Sequence, residues 1–255
     1  MPHRKELNEK EVKSKKIAFI LALVLLIIFV IDIVLITLIY SFADWIALLL
    51  FSLLLIYPAY LSNAGMVFMG GGKPIDGGRS FKNGKRILGD HKTWNGFIKG
   101  PLYMGIPLSI IISLVLLALW PLIEVIPISA IDSYKYYHSL FFYEFYFIGG
   151  NLPLGFLLLI MRIILCSYGA AFGDLVGSFI KRRFNFESGA PFWVVDQLDF
   201  ATFALIFISI PVFFIPSLYI TPDINIVIFI LILTPSISII ANTVAYFLGL
   251  KDVPW

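Results

Sequence analysis

The chain has 255 residues, 60% of them hydrophobic and 14% charged, with a formal net charge of +3. That composition lies outside the range of soluble globular domains, and so small a net charge argues against a nucleic-acid-binding protein. A single cysteine, Cys166, in an apolar stretch excludes a disulfide framework or a thiolate zinc site, and His3, His91 and His138 fall in separate segments, against a histidine-ligated metal.

In chain order, a basic tail (residues 1–16) precedes the apolar segment 17–40, which is longer than a secretory core and has no small-residue cleavage site before Ser41. It reads as a retained helix. The segments 45–61, 101–123, 153–176, 200–220 and 224–248 follow, the first of them short against the roughly 20 apolar residues a spanning helix needs. The expected fold class is all-α: a polytopic integral membrane protein of about six transmembrane helices, five to seven being compatible with the pattern, in a single domain over 1–255. With the amino terminus in the cytoplasm, residues 1–16, 62–99, 177–199 and the carboxyl terminus share one side and hold 6, 7, 3 and 1 Lys or Arg, 17 of the 19. The positive-inside rule favours that orientation and puts both polar loops in the cytoplasm. Asp32 and Arg162 fall inside spans; an ion pair between them or snorkelling is expected, with a role near a lipid phosphate as the alternative. Pro107, Pro121, Pro153, Pro211 and Pro235 are expected to kink helices or mark their ends.

The first polar loop carries nine of the 19 glycines between residues 63 and 99. Glycine lets backbone N–H groups curl around anionic oxygens while Lys and Arg supply countercharge. A phosphate cradle is one reading and a solvated linker the other; 37 residues is long for a linker, and Asp76 and Asp90 add acid that orientation does not need. It is not a Walker A loop, since Pro74 follows Lys73. At its end, in His91-Lys92-Thr93-Trp94-Asn95-Gly96, Lys92 suits a phosphate, Thr93 can donate its hydroxyl and Trp94 suits the interface; Lys92 read alone is equally a topological charge. Between the third and fourth spans, nine aromatic residues from 134 to 147 interleave with Lys135, His138 and Glu144, which suits an interfacial belt, with lipid entry as the alternative.

Residues 173–200 (GDLVGSFIKRRFNFESGAPFWVVDQLDF) form a polar island between two apolar stretches. Asp174, Ser178 and Lys181 share one helical face, and Asp196 and Asp199 lie one turn apart at the start of the next helix. Three carboxylates beside Lys181 and Arg182 suit a metal and a polyphosphate, and Mg2+, usually held by carboxylates plus substrate phosphates, is the expected cofactor. Arg183 and Glu187 read as surface residues.

Lys92-Thr93-Trp94-x-Gly96 resembles the K-T-W-E-G element of the CTP:phosphatidate cytidylyltransferases. Gly173-Asp174-x-x-x-Ser178-x-x-Lys181-Arg182, followed by Asp196-x-x-Asp199, resembles that superfamily's signature. Glu187-Ser188 in place of K-D, Gln197 between the aspartates and a missing P-G-H-G-G run depart from its bacterial and eukaryotic members. The chain is instead similar to the archaeal branch, the CDP-archaeol synthases, which share the runs GGGKPIDGG (70–78), NGKRILG (83–89), DQLDF (196–200) and GLKDVPW (249–255). The resemblance implies transfer of CMP from CTP to an isoprenoid ether lipid phosphate, 2,3-di-O-geranylgeranyl-sn-glyceryl 1-phosphate, among membrane lipids, with no nucleic acid involved. It implies Asp174, Asp196 and Asp199 as metal ligands and catalytic acids and Lys92 beside them. Asn63, Asp76, Arg86, Thr93, Ser178, Lys181 and Arg182 are the expected substrate contacts. The oligomeric state is left open, a homodimer included. A CDP-alcohol phosphotransferase needs a longer aspartate spacing than Asp196-x-x-Asp199; a transporter or scaffold is the alternative outside enzymes, resting on Asp32 and Arg162.

Overall fold

The computed structural model describes residues 9–82, 84–133, 144–146, 149–186 and 191–251. Its main helices in chain order are α1 (Glu9–Ile39), α2 (Phe42–Phe68), α3 (Trp94–Ala118), the short α4 (Val125–Ser133), α5 (Leu154–Arg183), α6 (Val195–Ser209) and α7 (Ile224–Phe247), with a single helical turn, Trp120–Ile123, between α3 and α4. All but α4 lie in segments long and apolar enough to cross a membrane, six in all. The architecture is all-helical, with isolated β-bridges only, Pro74 to Thr93 and Ser80 to Arg86, among the described residues. This follows from the bilayer as solvent: a spanning segment must satisfy its own backbone, which a helix does.

α2 is central. Phe51, Leu55, Ile56 and Ala59 on it are buried against α5, α6 and α7. α1 is peripheral, with only 6% of its apolar window buried, so most of its surface faces lipid. It is attached at one end by Phe19 against Tyr246 and Phe247 and by Lys15 over the Tyr246 ring. Further along, Trp45 Nε1 donates to Asp32 at 3.0 Å.

Small residues bring two helix pairs to backbone contact. On α5, a Cβ placed at Gly169, Gly173 or Gly177 would come within 2.8 Å of Phe203 O, 2.4 Å of Asp199 O and 2.0 Å of Asp199 Oδ2 on α6. Between α2 and α3, a Cβ at Gly65 would lie 2.7 Å from Gly100 O and one at Gly105 1.9 Å from Ser62 Oγ. Glycine faces allow this approach, and dispersion and backbone contact then hold helices together where lipid gives no hydrophobic drive.

Several helix ends differ from the expected ones. α2 runs to Phe68 instead of ending at 61, and α5 to Arg183 instead of 176. Both extensions lack proline and keep helical hydrogen bonding beyond the apolar run; Lys181, Arg182 and Arg183 also complement the carboxyl-terminal end of the α5 dipole. α3 begins at Trp94, before the expected 101, because Thr93 caps it, its Oγ1 accepting from Gly96 N at 3.2 Å. α3 passes through a π-helical turn, Gly100–Gly105, where Pro101 supplies no N–H. The fifth span gives way at Pro211 to a 3-10 turn, Ile210–Phe213, short of the expected 220.

The expected pairing of Asp32 with Arg162 is absent. Asp32 accepts from Trp45, and Arg162, 3% exposed, donates to the carbonyls of Phe145 at 2.9 Å and Tyr146 at 2.6 Å. Each charge is satisfied by a nearer group. Of the expected aromatic belt, 134–143 and 147 lie outside the described residues, whereas Phe145 and Tyr146 are buried in the bundle.

Candidate active site

Where α2, α3 and α5 meet, a cleft of about 400 Å³ opens, lined by Asn63 and Met66 of α2, Gly70 to Gly72, His91, Lys92 and Thr93 of the loop, and Asp174 of α5. That volume is in the range of small-ligand sites. Lys92 Nζ donates to both carboxylate oxygens of Asp174, each at 2.7 Å. The pair joins residues 82 positions apart, so tertiary packing alone creates it. The loop presents Lys92 because its two ends bridge: Ile75 N donates to Lys92 O at 2.8 Å and Trp94 N to Lys73 O at 3.2 Å.

A second ion pair lies where α5 faces α6. Lys181 Nζ is 2.9 Å from Asp196 Oδ2, which also accepts from Phe192 N at 3.0 Å. Just before α6, Val194 has φ +56°, a left-handed conformation costly for a β-branched residue. Such strain concentrates at functional sites, and here it sits two residues before Asp196. Asp199, one turn further, lies against Gly177 and is close enough to Asp174, Asp196 and Lys92 to feel each charge. Ser178, buried on α5, lies one turn beyond Asp174.

The cleft residues and the α5–α6 pair thus gather Asn63, Lys92, Thr93, Asp174, Ser178, Lys181, Asp196 and Asp199 of the expected site. The three carboxylates do not form a ready cage: among the described residues no group of three or more His, Cys, Asp or Glu is arranged to hold a metal ion. Their chemistry still suits Mg2+, which takes one or two protein carboxylates and completes its shell from water and phosphate oxygens. Acidic oxygens with no thiolate among them fit a hard cation and not a soft one.

Asp76, Arg86 and Arg182 lie elsewhere. Asp76 is buried in the loop, where it accepts from Arg86 Nη2 at 2.6 Å, and Arg86 also pairs with Asp90. Arg182 donates to the carbonyls of Leu88 at 2.9 Å and Phe186 at 2.7 Å. Arg183 is no free surface residue: it donates to Arg86 O at 2.8 Å, and its guanidinium lies between the rings of Phe81 and Phe179. Both arginines tie the loop to the end of α5.

Burial alone would raise the pKa of Asp76, but Arg86 and the N–H groups of Leu88 and Gly78 win and hold it at about 2. A carboxylate depressed on folding stabilises above its unfolded pKa, and that stability is lost as pH falls through the folded value. Hydrogen exchange at the Leu88 and Gly89 amides, which donate to Asp76, is therefore expected to stay protected from neutral pH to about 4 and to lose protection as pH drops toward about 2. Loss of protection near pH 5 would assign the loop's order to another group.

The period-four glycines of α5, 169, 173 and 177, which seat the helix that carries Asp199 against the one that carries Asp174, are positions that reading for charge passed over, though their spacing is plain in the sequence.

A helical membrane bundle with a lysine- and carboxylate-lined cleft at one end defines the class: a multi-pass membrane enzyme handling an anionic substrate. A family model described as CarS-like, CDP-archaeol synthase, matches residues 45–152 and 149–255. The chain belongs to the CDP-archaeol synthase family. A CDP-archaeol synthase of Archaeoglobus fulgidus is 41% identical over 208 residues, covering 82% of this chain and 98% of that one. One of Thermococcus gammatolerans is 40% identical, covering 78% and 92%, and one of Methanosarcina mazei 38%, covering 78% and 99%. The family match begins within α2 and takes in the aromatic segment between the third and fourth spans; residues 1–44 lie outside it. A solved structure reported as giving insight into an intramembrane enzyme for archaeal membrane lipids biosynthesis is 26% identical and covers 77% of this chain and 92% of that one, with a TM-score of 0.45. That superposition is loose, and the fold rests on the helices themselves.

Proposed function

We propose that the protein transfers CMP from CTP to 2,3-di-O-geranylgeranyl-sn-glyceryl 1-phosphate, giving CDP-archaeol and pyrophosphate, with its cleft facing the cytoplasm. The observation that carries the reading is the Lys92–Asp174 pair in the cleft, in a chain whose relatives are CDP-archaeol synthases. Seventeen of the 19 cations on one side support the orientation. A transport reading loses its basis, because Asp32 and Arg162 are satisfied in place.

In the proposed step a lipid phosphate oxygen attacks the α-phosphorus of CTP and forms a new P–O–P link. The bond from that phosphorus to the β-bridging oxygen breaks, and pyrophosphate leaves with the electron pair. The nucleophile is already an anion, so the site needs no general base; positioning and charge neutralisation supply the catalysis. Lys92 and Lys181 exchange their carboxylates for phosphate oxygens, each trading one charge-assisted hydrogen bond for another. Asn63 and Thr93 border the nucleotide, and Ser178 and Arg182 continue the same end of α5. Asp174, Asp196 and Asp199 would hold Mg2+, which as a Lewis acid offsets phosphate charge when bound. The cleft is lined by one chain, so a homodimer would carry two such clefts.

The test is a panel of the four labelled nucleoside triphosphates with the lipid phosphate and purified protein. CMP incorporation matched by pyrophosphate release, with CTP preferred, is the expected outcome. No product with any nucleotide, together with solute movement in sealed vesicles, would favour transport.

A further inference from the structure

The loop between α2 and α3 has a core of its own, built on one side chain. The Asp76 carboxylate, 1% exposed, accepts from Arg86 Nε at 3.2 Å and Nη2 at 2.6 Å. It also accepts from the backbone N–H of Gly78 at 3.1 Å, Leu88 at 3.1 Å and Gly89 at 3.3 Å. Buried charge is tolerated only when hydrogen-bonded this fully. Asp76 does not line the cleft; it borders a separate, more open depression with Ile75, Arg79 and Leu88, and its carboxylate's partners all belong to the loop.

The residues on either side of this knot are the ones that hold Lys92. Lys92 N donates to Gly89 O at 3.1 Å, and Lys92 O accepts from Ile75 N at 2.8 Å. Gly89 gives its own N–H to Asp76, and Ile75 is its chain neighbour. The backbone of Lys92 is therefore clamped at both polar groups by the two loop strands that Asp76 draws together. Leu88 O is fixed from the other side by Arg182 of α5, the helix that carries Asp174. Loop and helix are thus registered to each other close to the ion pair.

We infer that Asp76 is a positioning residue: acting through Gly89 and Ile75, it sets the Lys92 ammonium against the site of Asp174 without touching substrate. The inference rests on the reading of Lys92 as a phosphate contact. A double-mutant cycle separates this role from a general structural one, since residues acting through one another are not additive. Asp76→Asn is expected to lower kcat about 10²-fold, the effect of a misplacement of about 1 Å. In a Lys92→Met background the same change is expected to cost less than about threefold. Losses that multiply, or wild-type turnover in Asp76→Asn, would overturn the inference. Should Asp76→Asn not insert, Arg86→Lys, which keeps the charge and loses the two-pronged contact, enters the same cycle with a smaller expected loss. Limited tryptic cleavage at Lys82 and Lys85 without substrates gives a readout independent of activity. Faster cleavage in Asp76→Asn is expected, and unchanged cleavage counts against the inference. A wild-type protein that cleaves slowly and incorporates no CMP would sink the functional reading instead.

Discussion

Asp174→Asn protein, inserted and folded, is expected to incorporate CMP at least about 10³-fold more slowly than the native chain, the scale of loss when one charge-stabilising group leaves a preorganised site. Asparagine keeps the shape and the α5 helix but carries no charge. It removes the partner that Lys92 grips at 2.7 Å through both oxygens, a carboxylate that lines the cleft and is not tied to Arg86 as the other cleft carboxylate, Asp90, is. Stability is expected to fall far less than turnover, because asparagine still offers Lys92 an oxygen and the two side chains keep 26% and 22% exposure. Turnover and thermal unfolding measured on the same preparation separate the two effects. Near-native turnover would remove Asp174 from the site.

Gly177→Ala is expected to lose about 10²-fold in turnover through a carboxylate it never contacts chemically, again the scale of a small misplacement. The added Cβ would stand 2.0 Å from Asp199 Oδ2 and 2.8 Å from its Cγ, so the side chain must leave its place. Gly169→Ala, two turns earlier, is the control: its Cβ would meet Phe203 O at 2.8 Å and the Cα of Ala204 at 2.9 Å. Both variants overpack the same helix pair and are expected to cost about 1–3 kcal/mol of stability. Only Gly177→Ala is expected to lose activity beyond that shared loss, as CMP incorporation corrected for folded protein would read. Equal losses would mean that the packing of α5 on α6, not the placement of Asp199, governs turnover.

The spans were legible because bilayer thickness writes itself into runs of apolar residues, and the pairing of Asp174 with Ser178 and Lys181 on one face followed from helical period alone. Helix ends were less so. Residues 62–68 and 177–183 remain helical after hydropathy has fallen, and the sequence shows only that no proline stops them. The partners of Asp32 and Arg162 were illegible for a different reason: an indole N–H donor and two backbone carbonyl acceptors are groups that a search for opposite charges does not count. Asp76 and Arg86 stood out as charges among glycines, yet nothing local told whether they would meet a substrate or each other. Their contact spans ten residues and depends on how the loop folds back. Lys92 and Asp174, 82 residues apart, could be associated beforehand only through family resemblance.

Along the α5–α6 seam the two backbones lie nearly in touch, with carbonyl and Cα atoms where side chains would otherwise interpose. A joint where an added methyl group already crowds the facing helix leaves no gap for an isoprenoid tail. The cleft opens on the other flank of α5, among α2, α3 and the loop, and that side is where the structure leaves room for an acceptor whose head reaches Asp174. The glycines that fix the acids in place thereby also decide the direction from which grease arrives.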